Sequence, residues 1–203
     1  RMSLSELAKK LHLSREAVNY RIKRLQKEGY IRAFVTHIDY TKLGYDIYSL
    51  YFKFGTMKGK EEDEVITYLK KNPDTNWSAF VGGRFDFILE FPAKNVRNFK
   101  KKEEKIISKY PDVLVDHEVG INTHQQRLNR RYLYPIQSKI IELDEEPVEV
   151  DKKDEKIIDI LKLNSRTTST EIGKQVGLPT STVSNRIKEL KRKGVILGFS
   201  IQL

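Results

Sequence analysis

Two stretches of this chain, "LSREAVNYRIKRLQKEGYI" at residues 13–31 and "LPTSTVSNRIKELKRKGVI" at residues 178–196, align without a gap at a constant offset of 165. They share Leu13/Leu178, Val18/Val183, Arg21/Arg186, Ile22/Ile187, Lys23/Lys188, Leu25/Leu190, Gly29/Gly194 and Ile31/Ile196. A pattern that recurs once near each end constrains the architecture strongly. Whatever module it encodes is built twice, with something unlike it between.

The second copy is the longer. "DEKIIDILKLN" puts Ile157, Ile158, Ile160 and Leu161 on one broad helical face, with Asp154 and Glu155 at the end where the helix dipole favours acids. In "TSTEIGKQV", Thr168 stands three residues before Glu171, the spacing of a capping box. Gly177 supplies a turn, and "PTSTVSNRIKELKRKG" predicts a third helix with Val183, Ile187 and Leu190 inward and Gly194 ending it. "VILGFSIQL" reads as a strand. The first copy repeats this from its second helix onward. Ser3 and Glu6 form the capping box, His12 takes the place of Gly177, Ser14 is the next N-cap, and Val18, Ile22 and Leu25 point inward. A short helix, a tight turn and a second helix with a polar outer face make a helix-turn-helix, whose second helix enters the major groove of DNA.

Charge points the same way. Residues 1–39 hold nine Lys/Arg against four Asp/Glu and residues 154–203 nine against five, while residues 40–150 balance at eighteen each. A basic excess confined to the two repeated modules is the footprint of polyanion binding. The chain has no cysteine, which removes disulfides, thiolate metal sites and cysteine nucleophiles and fits a reducing cytoplasm. No apolar run is long enough to span a bilayer, so no membrane partner is expected.

The order "NSR…EIGKQVGLPTSTVSNRIKELKRKGVILGFS" closely resembles the winged helix-turn-helix of the Lrp/AsnC family of transcription regulators, and the resemblance extends from the first copy to about residue 124. The middle reads strand "IYSLYFKFG", helix "EEDEVITYLKK", strands "NWSAFVG" and "FDFILEFP", helix "KNVRNFKKKEEKIISKY" and strand "VLVDHEVGI". Phe85, Phe87, Leu89 and Phe91 alternate, and Val96, Phe99, Ile106 and Ile107 are candidates for the buried stripe of the second helix. The order βαββαβ is that of a ferredoxin-like sheet with both helices on one face. In the family this is the RAM domain (regulation of amino-acid metabolism), which dimerises and holds the effector. The expected fold is therefore α+β: winged helix-turn-helix over 1–39 without its first helix, a ferredoxin-like RAM domain over 40–124, a connector over 125–153 with a strand near Lys139–Leu143, and a second winged helix-turn-helix over 154–203.

The motif "VGGRFD" resembles the family's connection beside its effector pocket, which makes Gly82, Gly83 and Asp86 candidate effector-binding residues. Both glycines can take positive φ and expose backbone N–H groups; the plainer reading is a hairpin turn with Asp86 bonded to nearby backbone. Candidate DNA contacts are Ser14, Arg15, Glu16, Asn19, Tyr20 and Lys23 in the first copy, and Thr180, Ser181, Ser184, Asn185 and Lys188 in the second. Arg15 suits guanine, Asn19 and Asn185 suit adenine, and Lys23 and Lys188 suit phosphates. Glu6 with Arg21, and Glu171 with Arg186, are placed to form ion pairs, unless each carboxylate is used up in its capping box. The four histidines, 12, 37, 117 and 124, lack ligand spacing, no catalytic constellation emerges, and no cofactor is expected. The resulting expectation is a DNA-binding regulator, homodimeric or larger through the RAM domain, with a small effector such as an amino acid. One of the aromatic sets among Tyr48, Tyr51, Phe52 and Phe54 is expected at that interface, covering an apolar sheet face. Two other classes stand beside it: a sirohaem-decarboxylase-like enzyme subunit on the same fold, and a winged-helix protein adaptor. The alignment of Arg1 with Arg166 and of Leu203 with Ile38 further predicts a helix before Arg1, and leaves room for a second effector domain after Leu203.

Overall fold

In the computed structural model, which describes residues 2–56, 60–72, 74–123 and 146–203, the two copies of the repeat fold alike, helix for helix. Helices α1 (Leu4–Leu11) and α2 (Arg15–Lys27) of the first copy correspond, residue for residue at the 165 offset, to α6 (Ser169–Val176) and α7 (Thr180–Arg192) of the second. Both capping boxes form: Ser3 Oγ accepts from Glu6 N and Thr168 Oγ1 from Glu171 N, while each glutamate reaches back to its N-cap amide. The turn between helices passes through the left-handed region at His12 (φ 52°, ψ 42°) and Gly177 (φ 68°, ψ 42°). That conformation crowds a β-carbon by about 1–2 kcal/mol, and His12 is the sole non-glycine residue with positive φ among the described residues. Val18 and Val183 are buried at equivalent places, as are Ile31 and Ile196.

A further helix, α5 (Lys152–Leu163), belongs to the second copy and buries Ile157, Ile158 and Leu161. It starts two residues earlier than its apolar pattern suggests, because Asp151 caps it, accepting from Lys153 N and Asp154 N. Arg186 of α7 then donates 2.8 Å bonds to both Asp151 and Asp154. The expected Glu171–Arg186 pair is thus not formed. Glu171 is engaged by the Thr168 amide and hydroxyl at 2.7 and 2.8 Å, and those bonds hold its carboxyl below the ordinary glutamate range. Glu6 is likewise held by Ser3, and Arg21 is exposed with no ion pair to it among the described residues.

Strand β1 (Ala33–Ile38) of the first copy pairs antiparallel with β6 (Ile196–Gln202) of the second, from Ala33↔Gln202 to His37↔Gly198, with a bulge before Ile38↔Ile196. The ribbon packs on α5. Thr36, 7% exposed, donates its hydroxyl to Leu161 O at 2.6 Å, and Ser165 N donates to Phe34 O. Leu161 O lies in the last turn of α5, where a carbonyl has no helical partner, so Thr36 satisfies an otherwise orphaned acceptor. Residues 1–39 and 148–203 consequently form one compact unit, and residues 40–147 a second. The two copies share a unit instead of standing as separate domains at either end.

The second unit carries β2 (Asp46–Phe54), α3 (Lys60–Lys71), β3 (Trp77–Phe80), β4 (Phe87–Ala93), α4 (Val96–Ile107) and β5 (Leu114–Asn122). The sheet order is β3-β4-β2-β5, with every neighbour antiparallel. Alternation sends Tyr48, Leu50 and Phe52 to one face, opposite Phe91, Leu89 and Phe87, and Val65, Leu69, Phe99 and Ile106 of the helices close over them. Phe99 stacks on Tyr48 at 4.4 Å and on Phe91 at 5.4 Å. Val96, the first residue of α4, proves to be exposed at 63%, whereas Phe99 three residues on is buried. The aromatic residues of β2 divide between the two faces, with Tyr51 turned away from Tyr48 and Phe52. Tyr48 and Phe52 lie in the core, with Phe54 packed against it, while on the opposite face Ser49 bonds Asn122 at 2.9 Å and Asn122 bonds Glu90 at 2.9 Å. That face has a polar centre, not an apolar one. The expected strand near Lys139–Leu143, and His124, fall outside the described residues.

The Arg186 arrangement can be checked by one substitution made at both equivalent positions. Arg186→Met removes two charge-assisted bonds, worth about 1.5–3 kcal/mol, and should lower hydrogen-exchange protection of α5 and α7 by at least tenfold. Arg21→Met should change protection of α1 and α2 by less than about threefold, as for an exposed residue away from any network.

Candidate DNA interface and effector region

Burial of Val18 at 3% and Val183 at 0% sets the rotation of α2 and α7, with Ile22, Leu25 and Ile187 half-buried beside them. Helical geometry then turns Arg15, Glu16, Tyr20 and Lys23 outward on α2, and Thr180, Ser181, Asn185 and Lys188 outward on α7; all eight are exposed. Asn19 and its equivalent Ser184 are half-buried at the rim of this face. Tyr20 is 67% exposed, an unusual place for a large aromatic side chain.

The two faces differ in how free their side chains are. Ser14 is the N-cap of α2, its hydroxyl accepting from Ala17 N at 3.0 Å. Among the described residues, Arg15, Asn19, Tyr20 and Lys23 make no side-chain hydrogen bond or ion pair. In the second copy, Pro179 caps α7 without a side-chain bond, Thr180 Oγ1 lies 3.3 Å from Thr170 Oγ1, and Ser184 Oγ lies 3.2 Å from Ser169 Oγ. Two of its hydroxyl groups are therefore partnered by α6. Basic side chains flank both faces, with Lys9, Lys10, Arg24 and Lys27 on the first and Lys174, Lys191 and Arg192 on the second. Arg24 is within 3.3 Å of Glu28, and Arg192 is bound twice by Glu189, which holds that glutamate's carboxyl below its ordinary range.

At the other candidate region, the "VGGRFD" connection joins β3 to β4. Val81 N donates to Asp86 O at 2.9 Å and Asp86 N to Phe52 O at 2.8 Å. Of the two glycines able to take positive φ, only Gly83 does so, at φ 110°. A β-carbon at either glycine would meet nothing within 4 Å, so the space above them is open. Asp86 has both oxygens engaged, Oδ1 by Lys53 Nζ at 2.8 Å and Oδ2 by Phe54 N at 2.9 Å. The Lys53 bond, then the Phe54 amide, hold its carboxyl below the usual aspartate range. Asp86 thus anchors the connection to β2, which is the plainer reading of this motif. Arg84, beside it, is 2.5 Å from Glu118, 3.8 Å from Asp116 and stacked 4.9 Å from the Phe85 ring.

Two groups escaped the sequence reading. Asp151 looked like part of an acidic linker, although an aspartate directly before a helical pattern is an N-cap signal. Glu103 is 2% exposed on α4, with His117 Nε2 of β5 at 3.0 Å and Lys100 Nζ at 2.7 Å. It sits in a run of lysines and glutamates, "KKKEEK", where nothing local separates a buried carboxylate from an exposed one.

A profile described as winged helix-turn-helix DNA-binding matches residues 1–32 and again residues 150–196. An uncharacterized HTH-type transcriptional regulator of Pyrococcus abyssi is 53% identical over 51 residues, 25% of this chain and 33% of that one. The structure of an AsnC family transcriptional regulator from Agrobacterium tumefaciens superposes on 64% of this chain and 84% of that one, with a TM-score of 0.52 at 17% identity. The proline dehydrogenase transcriptional activator of Rhizobium radiobacter is 31% identical over 114 residues, 56% of this chain and 73% of that protein. The chain belongs to the Lrp/AsnC family. It spans only a third of the length of the Pyrococcus relative that it matches. One further solved structure covers it almost completely: the siroheme decarboxylase NirDL, at 16% identity and TM-score 0.60, over 98% of this chain and 59% of that one. At such identities the likeness is one of fold.

Asp86 offers a test by pH. Its carboxyl is depressed in the folded chain, so the stability it lends is present above about pH 4, the unfolded value, and is lost as pH falls through the folded one. Asp86→Asn should therefore lower the urea midpoint near neutrality, read by the fluorescence of Trp77 on β3. The gap from the unsubstituted chain should close as the pH is lowered below about 4.

Proposed function

We propose that this Lrp/AsnC-family chain is a sequence-specific DNA-binding transcription regulator that reads duplex DNA through α2 and α7. The observation that carries this reading is the outer face of α2. Arg15, Asn19, Tyr20 and Lys23 stand on a helix whose opposite side is fixed by Val18, and among the described residues none of the four spends its side chain on a hydrogen bond or ion pair. Arg15 has the planar fork that pairs with guanine O6 and N7, and Asn19 the amide that pairs with adenine. Lys23 and Lys188, equivalent in the two copies, suit phosphates and set register. The second face is the weaker reader, since the Thr180 and Ser184 hydroxyl groups are already bonded to α6.

Residues 40–147 supply association and regulation in this proposal. Strand β5 is a sheet edge, and Val115, Val119 and Ile121 on it are 57, 45 and 57% exposed, a surface suited to a second copy. A small polar effector such as an amino acid fits the open space over Gly82 and Gly83, with Asp86 acting through the fold of the loop. The full-length likeness to NirDL favours a second reading, an enzyme subunit acting on a sirohaem-like macrocycle. No helix among the described residues is long and apolar enough to cross a membrane.

Two variants test the DNA reading. Arg15→Ala should cut discrimination between the selected sequence and random duplex by roughly 5- to 150-fold, the worth of one bidentate base contact. Lys23→Ala should weaken all duplexes alike and reduce the salt slope by about one. Equal losses for Arg15→Ala on selected and random DNA would make it a phosphate contact. The enzyme reading is checked separately: titration with iron-uroporphyrin III should leave the absorbance of the macrocycle unchanged, and a shifted Soret band would favour the second reading.

A further inference from the structure

The register of the β1–β6 ribbon carries information beyond pairing. Val35 faces Ser200, and 200 is 35 plus the repeat offset of 165, so each of these residues faces its own counterpart. The neighbouring pairs obey the same rule. Phe34↔Ile201 is the counterpart of Thr36↔Phe199, and Ala33↔Gln202 is the counterpart of His37↔Gly198. An antiparallel pair has a local two-fold axis, normal to the ribbon, through the midpoint of a facing pair. Here that axis passes through Val35–Ser200 and exchanges the two copies of the repeat.

The rest of each module follows its strand. Helix bounds coincide at the offset, and so do the bonds that set the turns: Leu13 N to Ala8 O and Leu178 N to Gly173 O at 3.0 Å, Gly29 N to Gln26 O and Gly194 N to Lys191 O at 3.2 Å. Gly29 and Gly194 share φ 79°. Rotation about an axis normal to a ribbon keeps each of its faces, so modules exchanged by it share one side of the ribbon, and the components of their recognition helices in the ribbon plane run in opposite senses. A two-fold pair of recognition helices matches inverted half-sites on duplex DNA.

What the axis does not exchange is chemistry. Arg15, Glu16, Asn19 and Tyr20 have Thr180, Ser181, Ser184 and Asn185 as counterparts, and only Lys23 and Lys188 agree. We infer that one chain is a built-in pseudo-dimer whose operator is a pair of unlike half-sites in inverted orientation, α2 reading one and α7 the other from the same chain. This rests on the DNA-binding reading above and adds to it the form of the operator and the number of chains that read it.

The absence of cysteine makes the test direct. An operator is first selected from random duplexes with the unsubstituted chain. Lys10→Cys and Gln175→Cys, exposed counterparts on α1 and α6 that flank the two faces and are assigned no base contact, are then each labelled with an iron-chelate DNA-cleaving reagent. The expected result is that the two labels cut beside different blocks, with patterns related by a 180° rotation, that is, at like offsets on opposite strands. Inserting five base pairs between the blocks, half a helical turn, should weaken binding at least tenfold by uncoupling the half-sites. If the Lys10 label cuts beside both blocks and the Gln175 label beside neither, two chains each present α2 and the inference is overturned while DNA binding stands. The same holds if the two patterns share one orientation. If no duplex is bound at low salt, both readings fall together.

Discussion

The backbone ladder between β1 and β6 is the constraint on which the first unit depends. It joins segments more than 150 residues apart in sequence, so closing it costs chain entropy that the pairing itself must offset. A two-stranded ribbon is marginal alone. Here α5 covers it, with Thr36 bonded to Leu161 O and Ser165 N to Phe34 O. Arg166 adds a bond to Met2 O and stacks over Phe34 at 5.5 Å. Most of these contacts are made once, by one copy on the other: Thr36, Leu161 and Ser165 have no identical counterpart at the 165 offset that repeats them.

The same asymmetry explains why equivalent arginines do different work. Arg186 has α5 beside it and is fixed between the cap Asp151 and Asp154, whose attraction raises its pKa above the ordinary guanidinium value. Arg21 has no described helix in the corresponding place and faces solvent. Identical residues at identical positions of a repeat need not share a role, because the partner that gives a charge its role comes from another element. A guanidinium held by two carboxylates orders a helix crossing, whereas the same group in water contributes little.

Much of the candidate site was legible because it depends on short-range rules. The capping boxes at Ser3 and Thr168, the turn at Gly177 and the inward stripe headed by Val183 are set within about four residues of chain, and the direction of Arg15 or Asn185 follows from that stripe alone. The effector region was less so. "VGGRFD" correctly marked a tight connection, yet the engagement of Asp86 by Lys53 and Phe54 N required β2 to lie beside it. Val96 shows the opposite failure: its spacing from Phe99 is right for a buried stripe, but as the first residue of α4 it is left 63% exposed.

By itself the sequence determined that a basic helix-turn-helix is built twice, that a βαββαβ sheet stands between, and which side chains each recognition helix turns outward. These follow from periodicity, capping and turn chemistry, which act along the chain. Only the tertiary structure decided that the two modules share one unit about a two-fold through Val35 and Ser200. It also decided that Arg186 is tied to α5, and that Ser49, Glu90 and Asn122 give the sheet face turned away from α3 and α4 a polar centre. Register and partner choice are settled by which distant segments bury surface together, and a strand such as "FVTHI" pairs as readily with one edge as with another until the helices around it have packed.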